Sequence, residues 1–184
     1  MRTSPALLMF AAALAPALTG CAASVKRVLP ETVRTIAIAR FQNATDQEFL
    51  RTLFDEQLRL SFRLDGRLNV AEDAGTADAV LKGTIVSYSR QPSRFSATNV
   101  VEEYRVSATV ELMLVGNAGA GNLWVERGAS PSAPPGPAVR RLATDTHFVV
   151  VPAHGLPVET EEDAQRRMVR DLAEEAVIKV LEGW

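Results

Sequence analysis

Cysteine occurs once in this chain, at position 21, so no disulfide can staple the fold within one molecule. Other absences narrow the function classes. No apolar run reaches the roughly 20 residues that a membrane-spanning helix needs. Basic and acidic residues nearly balance, 20 against 22, which gives no general pull toward nucleic acid. There is no glycine-rich phosphate loop and no nucleophile elbow. His147 and His154 are seven residues apart, and no carboxylate or thiolate spacing joins them into a metal set. Glu72, Asp73 and Asp78 lie close together, but in an acidic turn of the kind that faces solvent. No internal repeat is visible. These absences point away from an enzyme, a cofactor and a metal centre.

What is present begins at the N-terminus. Arg2 supplies a positive start, Ala6 to Leu18 carry no charge, and small residues lead into Leu18-Thr19-Gly20-Cys21. That is the layout of a secretory signal peptide. A small residue and Gly directly before Cys resemble the bacterial lipobox, in which the thiol is acylated and the cysteine becomes residue one of the mature chain. The expectation is a cleaved signal peptide over 1–20, lipidation at Cys21 and a polar tether over 21–31. One acyl chain anchors only marginally; the three implied by a lipobox anchor for good. Ala22 and Ala23 follow the cysteine, without an aspartate of the inner-membrane retention type, which favours the outer membrane, periplasmic side.

The remaining 32–184 is one domain by length and large enough to bury a core without staples. Thr32 to Phe41 reads as a strand, with apolar residues on both faces and hence a central position. Thr45-x-x-Glu48 has the pattern of a capping box. Phe49, Leu50, Leu53, Phe54, Leu58 and Phe62 then recur at helical spacing, and Asp65-Gly66 stops the helix. Leu68 to Ala71 is a short strand. Ala79–Arg90 and Val100–Val115 are the two longest strand candidates. The second alternates cleanly, with Tyr104, Val106, Ala108, Val110, Leu112 and Leu114 on one face and Arg105, Ser107, Thr109 and Glu111 on the other. Sixteen residues at about 3.3 Å each span some 50 Å, so the ends project beyond the domain.

Asn117 to Asn122 makes a hairpin connection to a strand over Leu123–Arg127, where Trp124 is a core or rim aromatic. Residues 128–142, rich in Pro, Gly and Ser, read as a flexible insertion. Ala143 to Val151 is one more, edge-like strand. Thr160 with Asp163 caps a last helix, whose Met168, Leu172, Ala176, Val177, Val180 and Leu181 face the sheet. The sum is an α+β domain: a single, mainly antiparallel sheet with two helices packed on one face.

Several short motifs carry a resemblance. Ile36-Ala37-Ile38 with Phe41, Asn43 and Thr45; Asp65-Gly66-Arg67-Leu68; Ala77-Asp78-Ala79-Val80-Leu81-x-Gly83-Thr84-Ile85; Tyr88-Ser89-Arg90-x-Pro92; Glu103-Tyr104-Arg105-Val106; Leu123-Trp124-x-Glu126; and the closing Asp171 to Glu174 and Leu181 to Trp184 are collinear with the pattern of the LPS-assembly lipoprotein LptE family. The chain resembles that family over about 33–127 and 158–184. It departs from the pattern at Ala22 and Ala23, where the family carries an aromatic, and over Ala129 to about Leu156, where the family's connection is short.

The resemblance implies a non-catalytic plug and assembly partner of an LptD-like β-barrel, which binds lipopolysaccharide on its way to the outer leaflet. Arg90, within that resemblance, and Arg94 bracket Pro92 where the long strands meet, and with the resemblance they are candidate contacts for lipid A phosphates. The competing use of the same residues is as solubilising charges on an exposed turn. For the whole chain, the competing reading is a lipid-anchored interaction module of another envelope machine, a cell-wall synthase activator or a secretion-channel subunit. Such modules also open with a strand ending in Phe-x-Asn and a following helix.

Overall fold

The computed structural model describes residues 29–117, 123–124, 139–150 and 158–182. The signal peptide, Cys21 and the tether up to residue 28, most of the expected strand at 123–127, and residues 128–138 of the expected insertion lie outside them. The elements in chain order are β1 (Thr35–Ile38), β2 (Gln42–Asn43), α1 (Glu48–Asp65), β3 (Asn69–Ala71), β4 (Ala79–Phe95), β5 (Val101–Gly116), β6 (Val139–Val149) and α2 (Glu161–Glu182).

All strands join one sheet in the order β3-β1-β4-β5-β6, with β2 also on β4. The sheet is mixed. β1 runs parallel to both β3 and β4, with Ile36 opposite Val70 and Ala79. The long ladders of β4 with β5 and of β5 with β6 are antiparallel and hold most of the paired residues. β1 is central, as its two apolar faces require: Ile36 and Ile38 enter the main core, and Ala37 a small cluster with Ala77 and Val80 on the opposite face.

Both helices cover the same face. α1 buries Leu50, Phe54, Leu58 and Phe62 at four-residue intervals, and α2 buries ten residues from Ala164 to Leu181. They meet Ile85, Val106, Val110, Leu112 and Leu114 of the sheet, with Trp124, in one core. The two helices run in the same direction, and their ends are tied where Arg67 Nη1 donates to Glu182 Oε1 at 3.0 Å. Gly66 ends α1 at φ 73°, donating its N–H to the Phe62 carbonyl, a left-handed turn that glycine adopts without steric cost.

The cap expected on α2 is present, and three other details differ from the sequence expectation. The capping box opens α2, where Asp163 N–H donates to Thr160 Oγ1 and the Asp163 carboxylate accepts from Thr160. It does not open α1, whose first flanking residue is Gln47, with no side-chain cap. There Asn43 takes the threonine hydroxyl: its Oδ1 accepts from Thr45 N and Oγ1, while its Nδ2 donates to the Gln47 carbonyl. β4 continues past Pro92 to Phe95. β1 and β2 stop pairing with it at Ile85, so among the described residues Pro92 has a neighbour on one side only, and the register shifts beside it. Last, β6 begins at Val139, so 139–142 are strand rather than insertion; Arg140 and Arg141 stand opposite Leu112 and Glu111.

Asp78 fastens the start of β4 to the start of β1. Its Oδ2 accepts from Arg34 N, Thr35 N and Thr35 Oγ1 at 2.7–2.9 Å. These bonds favour the carboxylate and hold its pKa below the ordinary value, the Thr35 hydroxyl contributing most. A lowered carboxylate pKa contributes stability that is present above about pH 4 and is lost as pH falls through the folded value. Asp78→Asn is therefore expected to flatten the acid limb of a stability–pH curve and to lower the melting temperature at pH 7. Unchanged melting at pH 7 and an unchanged acid limb would show the lock to be inert.

Candidate functional site

Among the described residues the sheet narrows toward the tip of β4 and β5, where β1 and β2 no longer pair with β4 and β6 ends opposite Glu103. The tip is a closely bonded loop. Ser96 N–H donates to the Val100 carbonyl, Ser96 Oγ accepts from Thr98 N and Val100 N, and Asn99 takes φ 62°. It presents Phe95 and Val100, each about half exposed.

One step back from the tip, the sheet meets the first turn of α2 in a polar network. Tyr88 Oη donates to Glu161 Oε1 at 2.7 Å and accepts from Gln165 Nε2 at 2.8 Å. Gln165 is the one buried polar side chain among the described residues. Arg90 Nη1 donates to Glu161 Oε2 at 2.5 Å, and its guanidinium lies over the Tyr104 ring, 5.1 Å from the centroid. Tyr104 in turn stacks on Phe148 of β6, centroids 5.5 Å apart. Burial, and then the bond to Glu161, push the Tyr88 hydroxyl up to about 12, so it stays a neutral donor at any physiological pH. A cleft of about 570 Å³ opens beside this network, lined by Gln47, Phe49, Tyr88, Arg90, Glu161 and Gln165. A second, of about 350 Å³, lies between Leu53 and Glu56 of α1 and Glu162 and Arg166 of α2 and shares Phe49 and Glu162 with the first.

The two arginines from the sequence are thus near one another but differently placed. Arg90 is half exposed, braced by an aromatic face and one carboxylate. Arg94 sits between two carboxylates, its Nε 3.3 Å from Glu102 and 3.7 Å from Glu103. Both side chains are about half exposed and can meet an anion, and the apolar tip beside them can meet a chain. Sequence reasoning missed Glu161 and Gln165, which reach the site from α2. The available signal was a glutamine set within the apolar stripe of Ala164, Met168 and Leu172. Cys21 lies outside the described residues. Among those residues no group of three His, Cys, Asp or Glu side chains converges as a metal site would need.

Three solved structures are similar to this chain. A protein from Xanthomonas campestris is 10% identical, with 83% of this chain and 86% of that one covered and a TM-score of 0.50. A minor lipoprotein from Acinetobacter baumannii is 15% identical over 82% of this chain and 92% of its own, TM-score 0.44. The rare lipoprotein B from Shewanella oneidensis is 15% identical over 80% and 90%, TM-score 0.41. No curated protein sequence matches the chain. The family model described as lipopolysaccharide-assembly LptE matches residues 33–180, from just before β1 to the last turn of α2. A match of that extent takes in the sheet, both helices and the hairpin together, and by it the chain belongs to the LptE lipopolysaccharide-assembly family.

Proposed function

We propose that this protein is an outer-membrane lipoprotein, anchored through Cys21 on the periplasmic side after removal of residues 1–20. In this reading it plugs and helps assemble an LptD-like β-barrel and assists lipopolysaccharide on its way to the outer leaflet. It works by binding, not by catalysis. The observation that carries the reading is the family match over 33–180. The projecting hairpin supports it, because a plug must offer a firm, shaped surface beyond its own core. The balanced charge and the ion-paired sheet surface also suit a polar barrel lumen.

The test is purification of the tagged, full-length protein from detergent-extracted membranes of its own host. A stoichiometric outer-membrane β-barrel is the expected companion, and depletion of the protein should lower the amount of that barrel in the membrane. Copurification with a cell-wall synthase, or isolation as a channel-forming homo-oligomer, would replace the reading with the competing one. Mass spectrometry of the same sample is expected to find an acylated N-terminal Cys21. A chain still beginning at Met1 would remove the anchor from the account. Cys21→Ala should release the domain from the membrane with its thermal melt unchanged.

A further inference from the structure

The opposite end of the domain carries exposed leucine and isoleucine that neither the core nor the site uses. Leu64, in the last turn of α1, is 77% exposed; Leu60 one turn earlier is 46% and Ile178 near the end of α2 is 47% exposed. The topology gathers these residues at one place. The Arg67–Glu182 bond joins the two helix ends. β3 starts four residues beyond α1 and pairs Asn69 with Thr35 at the start of β1. β1 therefore starts beside the point where both helices stop, six residues after Leu29, the first described residue, with a turn closed by Val33 N–H on the Pro30 carbonyl between them. β1 runs parallel to β4 from here, so the hairpin tip lies at the far end, about 50 Å away at 3.3 Å per residue.

We propose that this end of the domain, marked by Leu64 and Ile178, rests on the zwitterionic phospholipid surface that holds the N-terminal acyl group. The inference depends on the anchor of the proposed function and adds an orientation to it. Only seven residues lie between Cys21 and Leu29, eight chain steps that reach at most about 28 Å when fully extended. A domain so tethered keeps one end at the lipid, and the entry point dictates which. Charge names the occupant. Arg63 pairs with Glu72 at 3.3 Å, and Arg67 with Asp65 and Glu182 at 2.8 and 3.0 Å. The rim of this end is thus electrically balanced, which suits a zwitterionic surface better than an anionic polymer. Two or three aliphatic side chains bind a bilayer weakly by themselves. Tethering makes the contact intramolecular, where a weak contact suffices.

The acylated full-length protein, reconstituted without a barrel into phosphatidylethanolamine–phosphatidylcholine vesicles, tests this. Single-cysteine variants Leu64→Cys, Ile178→Cys and Val100→Cys, with Cys21 blocked by its own acylation, carry an environment-sensitive fluorophore; all three positions are exposed and tolerate a label. Probes at 64 and 178 are expected to shift to the blue and to lose most of their emission to lipids brominated near the headgroup. The probe at 100 should do neither. Equal, water-like emission at all three positions in a sample whose acyl group mass spectrometry has confirmed overturns the orientation and leaves the anchor standing. A missing acyl group overturns both. Emission changes that follow protein density rather than the brominated lipid assign the face to a second copy of the chain, and also overturn the proposal.

Discussion

Gly83→Ala is expected to cost at least about 3 kcal/mol of stability, the upper part of the range for overpacking a core and beyond. A Cβ at this position would stand 2.2 Å from Phe41 Cε1 and 2.6 Å from the Glu111 carbonyl oxygen. Neither obstacle yields easily. The Phe41 ring is buried and set edge-on against Phe54, centroids 5.0 Å apart, in a core packed as densely as an organic crystal. The carbonyl belongs to the ladder in which Thr84 stands opposite Glu111. Gly83 thus provides the gap through which Phe41, in the short link between β1 and β2, reaches the core across the face of β4. Urea denaturation at pH 7 measures the loss. Phe41→Leu in the same chain should recover part of it, giving less than the sum of the single effects because the two residues share one space. A Gly83→Ala loss within about 0.5 kcal/mol, the scatter of inert surface changes, would mean that the link between β1 and β2 relaxes freely.

That gap explains why one motif of the sequence holds together. Gly83-Thr84-Ile85 and Phe41 belong to the same resemblance, and the structure makes them one packing unit. Elements whose own residues carry the period were legible in advance: α1 with its Leu50-Phe54-Leu58-Phe62 stripe and Gly66 stop, β5 with its alternation, α2 with Thr160 and Asp163. Elements that owe their form to neighbours were not. Val139 to Leu142 hold two arginines just after a proline-rich stretch and show no strand pattern, yet β5 supplies a ladder for them. The expected strand ends at Arg90, before Pro92, and the lack of a neighbour on one side among the described residues lets β4 continue through it. The parallel pairing of β1 with β4 depends on α1 crossing between distant segments, which no local pattern encodes. The site divides in the same way. Tyr88, Arg90 and Arg94 are close in sequence and could be singled out together. Glu161, the partner of Tyr88 and Arg90, is 71 residues beyond Arg90, and nothing in the local sequence of either residue names the other.

The Arg90→Ala/Arg94→Ala variant is expected to bind lipopolysaccharide more than tenfold less tightly, about 1.4 kcal/mol for each factor of ten. The structure makes the two contributions unequal. Arg90 is held by one carboxylate and an aromatic face, which orient the guanidinium while leaving it half exposed; a phosphate can share it through paired, charge-assisted hydrogen bonds. Arg94 faces Glu102 and Glu103, whose charge repels an incoming anion. Arg90→Ala alone should therefore cost more affinity than Arg94→Ala alone. Arg90→Lys should not restore it, because an ammonium lacks the planar fork and the stacking surface. Glu161→Gln turns the sign around. The amide oxygen can still accept from Tyr88, but the charge that competes for Arg90 is gone, so affinity should rise. Each variant is compared at matched stability, since loss of the Glu161 network also loosens the first turn of α2 against β4. Were Arg90 only a brace between sheet and helix, Arg90→Ala would lower the melting temperature with lipopolysaccharide affinity unchanged, and Glu161→Gln would weaken the fold without strengthening binding. That pair of results would remove Arg90 and Arg94 from the binding surface and leave the exposed Phe95 and Val100 of the hairpin tip as the part of this end that meets a partner.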